Sequence, residues 1–221
     1  MTRKVAGTLV GAGALIFLVL YGVGLLITVV LRGSDLVGGD NQVSTWFLRH
    51  RTPTFDTLTH IGTTLADTLT AIALTVVLMV VLRLWLGRWR ESLVVLTAIA
   101  GELFVFLLVT NAIDRQRPPV PRLDPAPPTS SFPSGHTAAA VALYGCLAVV
   151  LLRQLPDRRL AVVLAVLCWC VPFVVAVSRL YRGMHYPSDV IFGFLGGGTW
   201  LLAVVLLLMP RAAHGGRARR T

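Results

Sequence analysis

The chain has 221 residues, 55% of them hydrophobic and 14% charged, with a mean hydropathy of +0.76. A soluble domain of that length cannot hide so much apolar surface in one core, whereas a chain dissolved in lipid has no need to. The formal net charge of +10 comes from nineteen Arg and one Lys against ten acids; because these cations gather between apolar runs, a bilayer partner is expected and nucleic acid is not.

A helix crosses the bilayer core with about 20 apolar residues. In chain order, the runs Leu9–Leu31, Leu69–Leu86, Ser92–Val109, Thr137–Leu152, Leu160–Val177 and Val190–Met209 approach that length. The first begins behind Arg3 and Lys4, but it is too long for a cleaved leader and no small-x-small site follows it. An uncleaved anchor is expected. The fourth is short and needs a polar extension toward His136 to cross. The expected fold is all-α: an integral membrane bundle of six transmembrane helices, one membrane-embedded domain over 1–221, without internal repeats.

With the N-terminus inside, Arg3, Lys4, Arg83, Arg88, Arg90, Arg153, Arg158, Arg159, Arg211, Arg217, Arg219 and Arg220 fall on the cytoplasmic side, twelve cations against eight outside. The positive-inside rule therefore predicts cytoplasmic termini in a multi-pass cell-membrane protein. Trp85 and Trp89 suit an interfacial belt beside the Arg-rich turn. In the first outer segment, Val43, Trp46, Phe47 and His50 have helical spacing, which predicts a surface helix over Asn41–Arg51. The stretch Arg115–Pro133 holds seven of the twelve prolines and reads as a stiff loop. Cys146, Cys168 and Cys170 lie in apolar runs and read as buried hydrophobes.

Three polar segments fall at the outer ends of predicted spans. Arg115-Gln-Arg117-Pro118 offers guanidinium groups matched to phosphate oxygens, although headgroup contact or snorkelling is the better account of an isolated Arg-x-Arg-Pro. Pro133-Ser134-Gly135-His136 opens the fourth span. There a Ser and a Gly leave free amides and a favourable dipole for an anion, and Gly lets a phosphate approach. A plain cap explains Ser134 and Gly135, but not His136. The third segment runs from Ser178-Arg179 through Arg182 and His185 to Asp189. A carboxylate four residues beyond a histidine can hold one ring nitrogen protonated and leave the other free to attack. No Cys/His or carboxylate set suits a metal, so no metal or other cofactor is expected. Arg and backbone donors would neutralise charge during phosphoryl transfer through a phosphohistidine.

The order Arg-Pro, Pro-Ser-Gly-His, Ser-Arg-x5-His-x3-Asp resembles the type 2 phosphatidic acid phosphatase superfamily, the lipid phosphate phosphatases, over nearly the whole chain. The resemblance implies His185 as nucleophile, Asp189 as its orienting partner, and His136 as general acid and then base. It also implies Arg117, Ser134, Gly135 and Arg179 as phosphate ligands. One position departs. The family's first motif begins with a Lys seven residues before the Arg of Arg-Pro, where this chain has Thr110. The missing cation is worth roughly 1–3 kcal/mol of charged hydrogen bonding, and Arg115 or Arg182 is expected to take its place.

The resemblance implies hydrolysis of a lipid phosphate or diphosphate: undecaprenyl diphosphate, phosphatidylglycerol phosphate or phosphatidic acid. Location alone favours the undecaprenyl carrier. The alternatives are a catalytically weak lipid-phosphate-binding protein, motivated by Thr110, and a vanadate-type haloperoxidase relative. The latter fits poorly with six lipid-length spans. Glu102, mid-span, reads as a structural or gating carboxyl, Asp114 as an ion-pair partner of Arg115, and Gly196–Gly198 as close helix packing. His50, His60 and His214 receive no role, and the oligomeric state is unknown.

Overall fold

Helix ends in this chain are set by local chemistry that the apolar runs alone do not show. The structure, a computed structural model, describes residues 3–209 and contains α-helices with no strand among the described residues. Helix α1 (Arg3–Leu25) continues through a π-helical turn at Leu26–Val30. It is followed by α2 (Asp35–Arg49), α3 (Pro53–Thr64), α4 (Thr68–Leu86), α5 (Arg90–Ala112), α6 (Gly135–Gln154), α7 (Arg158–Tyr181) and α8 (Pro187–Leu208). Six of these, α1 with its turn and α4 to α8, are long and apolar enough to cross a membrane. Arg211, His214, Arg217, Arg219 and Arg220 lie outside the described residues.

Two span ends show how local chemistry sets a boundary. Asp157 accepts from the amides of Arg159 and Leu160 at 2.8 and 3.2 Å and starts α7 two residues early. Gly87, at φ +67°, closes α4 in the left-handed conformation that only glycine adopts cheaply. The helix expected over Asn41–Arg51 is present as α2, which starts earlier, at Asp35, and a second short helix, α3, follows it. Thr52 caps the second, its hydroxyl accepting from the Phe55 amide at 3.3 Å with Pro53 at the first helical position. Large apolar side chains such as Leu69 (83% exposed) and Leu84 (78%) face outward, as befits a multi-pass membrane protein whose helices are solvated by lipid.

Helix α6 is central, packing on α5, α7 and α8. Its face is built of small residues, Ala138, Ala140, Ala142, Gly145 and Ala148, so neighbouring backbones come close. A Cβ on Gly193 of α8 would lie 2.7 Å from the Ser134 carbonyl, and one on Gly197 would lie 2.7 Å from that of Ala138. These contacts press the start of α8 against the start of α6, and the Ser134 amide donates to the Asp189 carbonyl at 3.0 Å. Of the Gly196–Gly198 run, Gly197 serves this close packing, Gly196 meets Leu20, and Gly198 faces open space. Helix packing thus joins two distant sequence motifs.

Candidate active site

The chain turns from α7 into α8 at Arg182–Tyr186, with Gly183 at φ +71°. A Cβ there would meet Val120 Cγ2 at 2.9 Å and the Pro121 carbonyl at 3.1 Å, so the proline-rich loop sits directly on the turn. Arg51, between α2 and α3, fastens both: it donates to the Pro121 carbonyl at 2.7 Å and to the Tyr181 carbonyl at 3.1 Å. The turn presents His185, which is 4% exposed. Its Nδ1 lies 2.7 Å from the Ser131 carbonyl. A carbonyl can only accept, so Nδ1 carries the proton and Nε2 holds the free lone pair. Burial, with the charges of Arg179 and Arg117, pushes this imidazole well below its ordinary value despite the opposing Ser131 bond. Both effects favour the neutral ring with Nε2 unprotonated.

Asp189 differs from its expected role as the direct hydrogen-bond partner of His185. Its Oδ2 is 3.7 Å from Nδ1, and the Ser131 carbonyl takes the bond. Both oxygens are already engaged. Oδ2 accepts from the Tyr186 amide at 2.9 Å, capping α8, and Oδ1 accepts from Arg115. Arg115 in turn donates to Asp40 of α2 at 2.7 Å and to the Ser188 hydroxyl at 2.8 Å. Asp40 also receives the Ser188 amide at 3.1 Å. Asp40, Arg115, Ser188 and Asp189 are all buried. Asp189 fixes the turn that carries His185.

A cavity of about 510 Å³ opens onto His185. Its polar end is lined by Arg117, Arg179, His136, Asp67 and Asp124, and its apolar end by Ile72, Ile99, Leu103 and Phe106, with Glu102 in the wall. Arg117 is anchored by a 2.8 Å bond to the Met184 carbonyl and lines the cavity with the rest of its guanidinium. Arg179 donates to the Thr63 hydroxyl at 2.8 Å and to Asp124 at 3.1 Å, while its buried Nε has no partner. A buried donor without an acceptor is costly. Among the described residues no cluster of His, Cys, Asp or Glu could hold a metal.

Not every other expected ligand reaches the cavity. Ser134 is fully buried, and its hydroxyl pairs with Thr137 Oγ1 at 2.9 Å. Gly135 does line the cavity, but its missing side chain makes room for Phe106, whose ring would be 2.7 Å from a Cβ. The donors left at the start of α6 are its first-turn amides. Replacement of the missing lysine by Arg115 or Arg182 is revised, because neither lines the cavity. Arg115 is held as above, and Arg182 binds Asp124 at 2.6 Å, the Asp56 carbonyl at 2.9 Å and Thr59 at 3.3 Å. Thr110 is buried, its hydroxyl donating to the Ser130 carbonyl at 3.3 Å and bracing the loop. Asp114 is exposed and forms no ion pair with Arg115, whose carboxylate partners are Asp40 and Asp189. The sequence reading missed Asp40, Asp67, Asp124, Arg51 and Ser131. Only Asp67, an acid immediately before an apolar run, carried a local signal.

The sequence model of the PAP2 superfamily matches residues 64–212. Phosphatidylglycerophosphatase B of Bacillus subtilis is 34% identical over 68 residues, 29% of this chain and 32% of that one. Decaprenylphosphoryl-5-phosphoribose phosphatase of Mycobacterium tuberculosis is 34% identical over 115 residues, 51% of this chain. The chain spans a third to just over half of these relatives' lengths, 32% and 58%. The crystal structure of a transmembrane PAP2-type phosphatidylglycerolphosphate phosphatase from Bacillus subtilis superposes with a TM-score of 0.76 at 23% identity. The match covers 89% of this chain and 94% of that one, and so shares the fold.

Proposed function

The chain belongs to the PAP2 superfamily, and on that premise we propose that it is a membrane phosphatase that hydrolyses a lipid phosphate or diphosphate through a phosphohistidine at His185. One observation carries the reading: the Ser131 carbonyl holds the Nδ1 proton and leaves the Nε2 lone pair beside a cavity walled by Arg117 and Arg179. In the first step Nε2 attacks phosphorus, the bond to the lipid oxygen breaks, and His136 gives that oxygen its proton. In the second, His136 takes a proton from water, the hydroxide displaces Nε2, and inorganic phosphate leaves with His185 restored. Arg117, Arg179 and the α6 amides stabilise the equatorial oxygens.

The apolar end of the cavity supports a lipid substrate. The relatives are named for a glycerolipid phosphate and a polyprenyl-linked phosphate, so phosphatidylglycerol phosphate and undecaprenyl diphosphate head the substrate panel, followed by phosphatidic acid. The site end faces the extracytoplasmic side, since Arg83, Arg88, Arg90, Arg153, Arg158 and Arg159 crowd the opposite end.

The test is phosphate release from that panel by the detergent-purified protein in EDTA, beside His185→Ala. Release by wild type alone, with an acid-labile phosphoenzyme, is expected. Equal release by both proteins, or a requirement for added divalent metal, would overturn the reading. A reporter fused after Met209 should report cytoplasm.

A further inference from the structure

Among the charged groups at the cavity's polar end, Asp67 belongs to none of the three motifs. It occupies the N-cap of α4, where an aspartate ordinarily accepts from the helix's own first amides, a bond worth about 1 kcal/mol. Asp67 makes no such bond. Its Oδ1 instead lies 2.8 Å from Nε2 of His136, across the cavity mouth on α6. The α3–α4 junction is fixed in that position. The Tyr144 hydroxyl of α6 donates to the Leu65 carbonyl at 2.8 Å, and Ala66 packs against Ala140 and Val175. The carboxylate thus forgoes its local partner and is held against a ring on another helix.

A carboxylate can only accept, so Nε2 of His136 carries the proton and Nδ1 is left for the substrate. The two histidines are then complementary: His185 is held through Nδ1 and reacts at Nε2, and His136 is held through Nε2 and reacts at Nδ1. The side chains of His136 and Asp67 are 26% and 42% exposed, so as an ion pair they add little stability. Orientation of the ring is what the contact supplies. We propose that Asp67 is the positioning residue for His136: it holds Nε2–H in both protonation states of the ring, so that Nδ1 accepts a second proton from the bound phosphate monoanion, passes it to the leaving oxygen and takes one back from water.

The inference rests on the phosphatase reading above, and the experiment separates the two. Asp67→Ala, Asp67→Glu, His136→Ala and the Asp67→Ala/His136→Ala double variant are compared with wild type and His185→Ala in detergent. Asp67→Ala should lower kcat about 10–100-fold, with KM changed less than about threefold and the unfolding temperature close to wild type. Asp67→Glu should recover part of kcat. In the His136→Ala background, Asp67→Ala should cost nothing further. Wild-type kcat in Asp67→Ala, or an undiminished second loss in the double variant, would overturn the proposal. Ring-nitrogen NMR of His136 reads the same contact without turnover: an Nε2–H tautomer is expected in wild type and a mixture in Asp67→Ala. An unchanged tautomer would also overturn the proposal. If wild type releases no more phosphate than His185→Ala, the phosphatase reading falls, and the tautomer still decides the contact.

Discussion

The two ends of the helix bundle use arginine in opposite ways. At the end away from the site, guanidinium groups lie in the open and finish helices. Arg90 donates to the Leu208 carbonyl at 3.0 and 3.1 Å, Arg153 to that of Met209, and Arg88, 52% exposed, pairs with Glu91 at 2.7 Å. Cations at helix C-termini satisfy carbonyls that have no helical partner. At the site end Arg115, Arg179 and Arg182 are buried, each against a carboxylate from a distant segment: Asp40 and Asp189 for the first, Asp124 for the other two. Buried ion pairs are poor devices for stability, because desolvation offsets most of the Coulomb gain. A fold that keeps so many in one layer is holding a charged surface in fixed geometry.

That contrast breaks most sharply at Arg115. Arg115→Ala leaves Asp40 and Asp189 buried without their cation, a loss of about 3–5 kcal/mol, seen as a collapse of folded yield or a large fall in unfolding temperature. Arg115→Lys should rescue little, since an ammonium cannot span both carboxylates. A well-folded, fully active Arg115→Ala would mean that the layer is not a clamp.

Asp124 tests the same layer with less at stake. Burial pushes its carboxyl up, but the hydrogen bond and charge of Arg182, and then Arg179, outweigh that and hold it below the usual carboxylate value of 3.8. A depressed carboxylate contributes stability that is fully present above 3.8 and lost as pH falls through its folded value. Asp124→Asn should therefore cost about 2 kcal/mol near pH 7, with the gap to wild type closing below pH 4 in unfolding scans. A gap constant with pH would mean that the charge of Asp124 is irrelevant.

How much of this was legible in the sequence depends on the range of each contact. The six spans follow from hydropathy, and the starts of α6 and α8 follow from Pro-Ser-Gly-His and from Asp189 four residues past His185. Local chemistry also marked Thr52-Pro53 as a helix start, although the apolar pattern alone hid it. The partners of the site residues were not legible. Asp40 reaches Arg115 across 75 positions and Asp67 reaches His136 across 69, and only packing brings such residues together. The Ser131 carbonyl that holds His185 has no side-chain signature at all. Thr110 invited a substitute cation nearby, but the neighbouring arginines were already committed to carboxylates no local pattern could name.

A smaller effect is expected where glycine lets α8 approach α6. Gly193→Ala puts a Cβ 2.7 Å from the backbone carbonyl of Ser134, which cannot swing aside as a side chain would. Overpacking of this kind costs about 1–2 kcal/mol and should separate the two helix starts, so phosphate release should fall more than stability does. Gly198→Ala, on the same helix and facing open space, is the control that should match wild type in both measurements. Equal behaviour of the two would remove the close crossing as the reason the motifs meet.

The least effect is expected at the opposite end. Arg90→Ala removes the two bonds to the Leu208 carbonyl, but that carbonyl closes a helix in an exposed setting where water can replace the guanidinium. The loss should stay below about 1 kcal/mol, and phosphate release should be unchanged, because Arg90 starts α5 at the end remote from the cavity. A marked fall in activity would show that the two ends are coupled through α5, which carries Phe106 and Glu102 to the cavity wall. Arginine at the bare end would then help hold the site, and the division between capping and site-building cations would give way to one continuous frame.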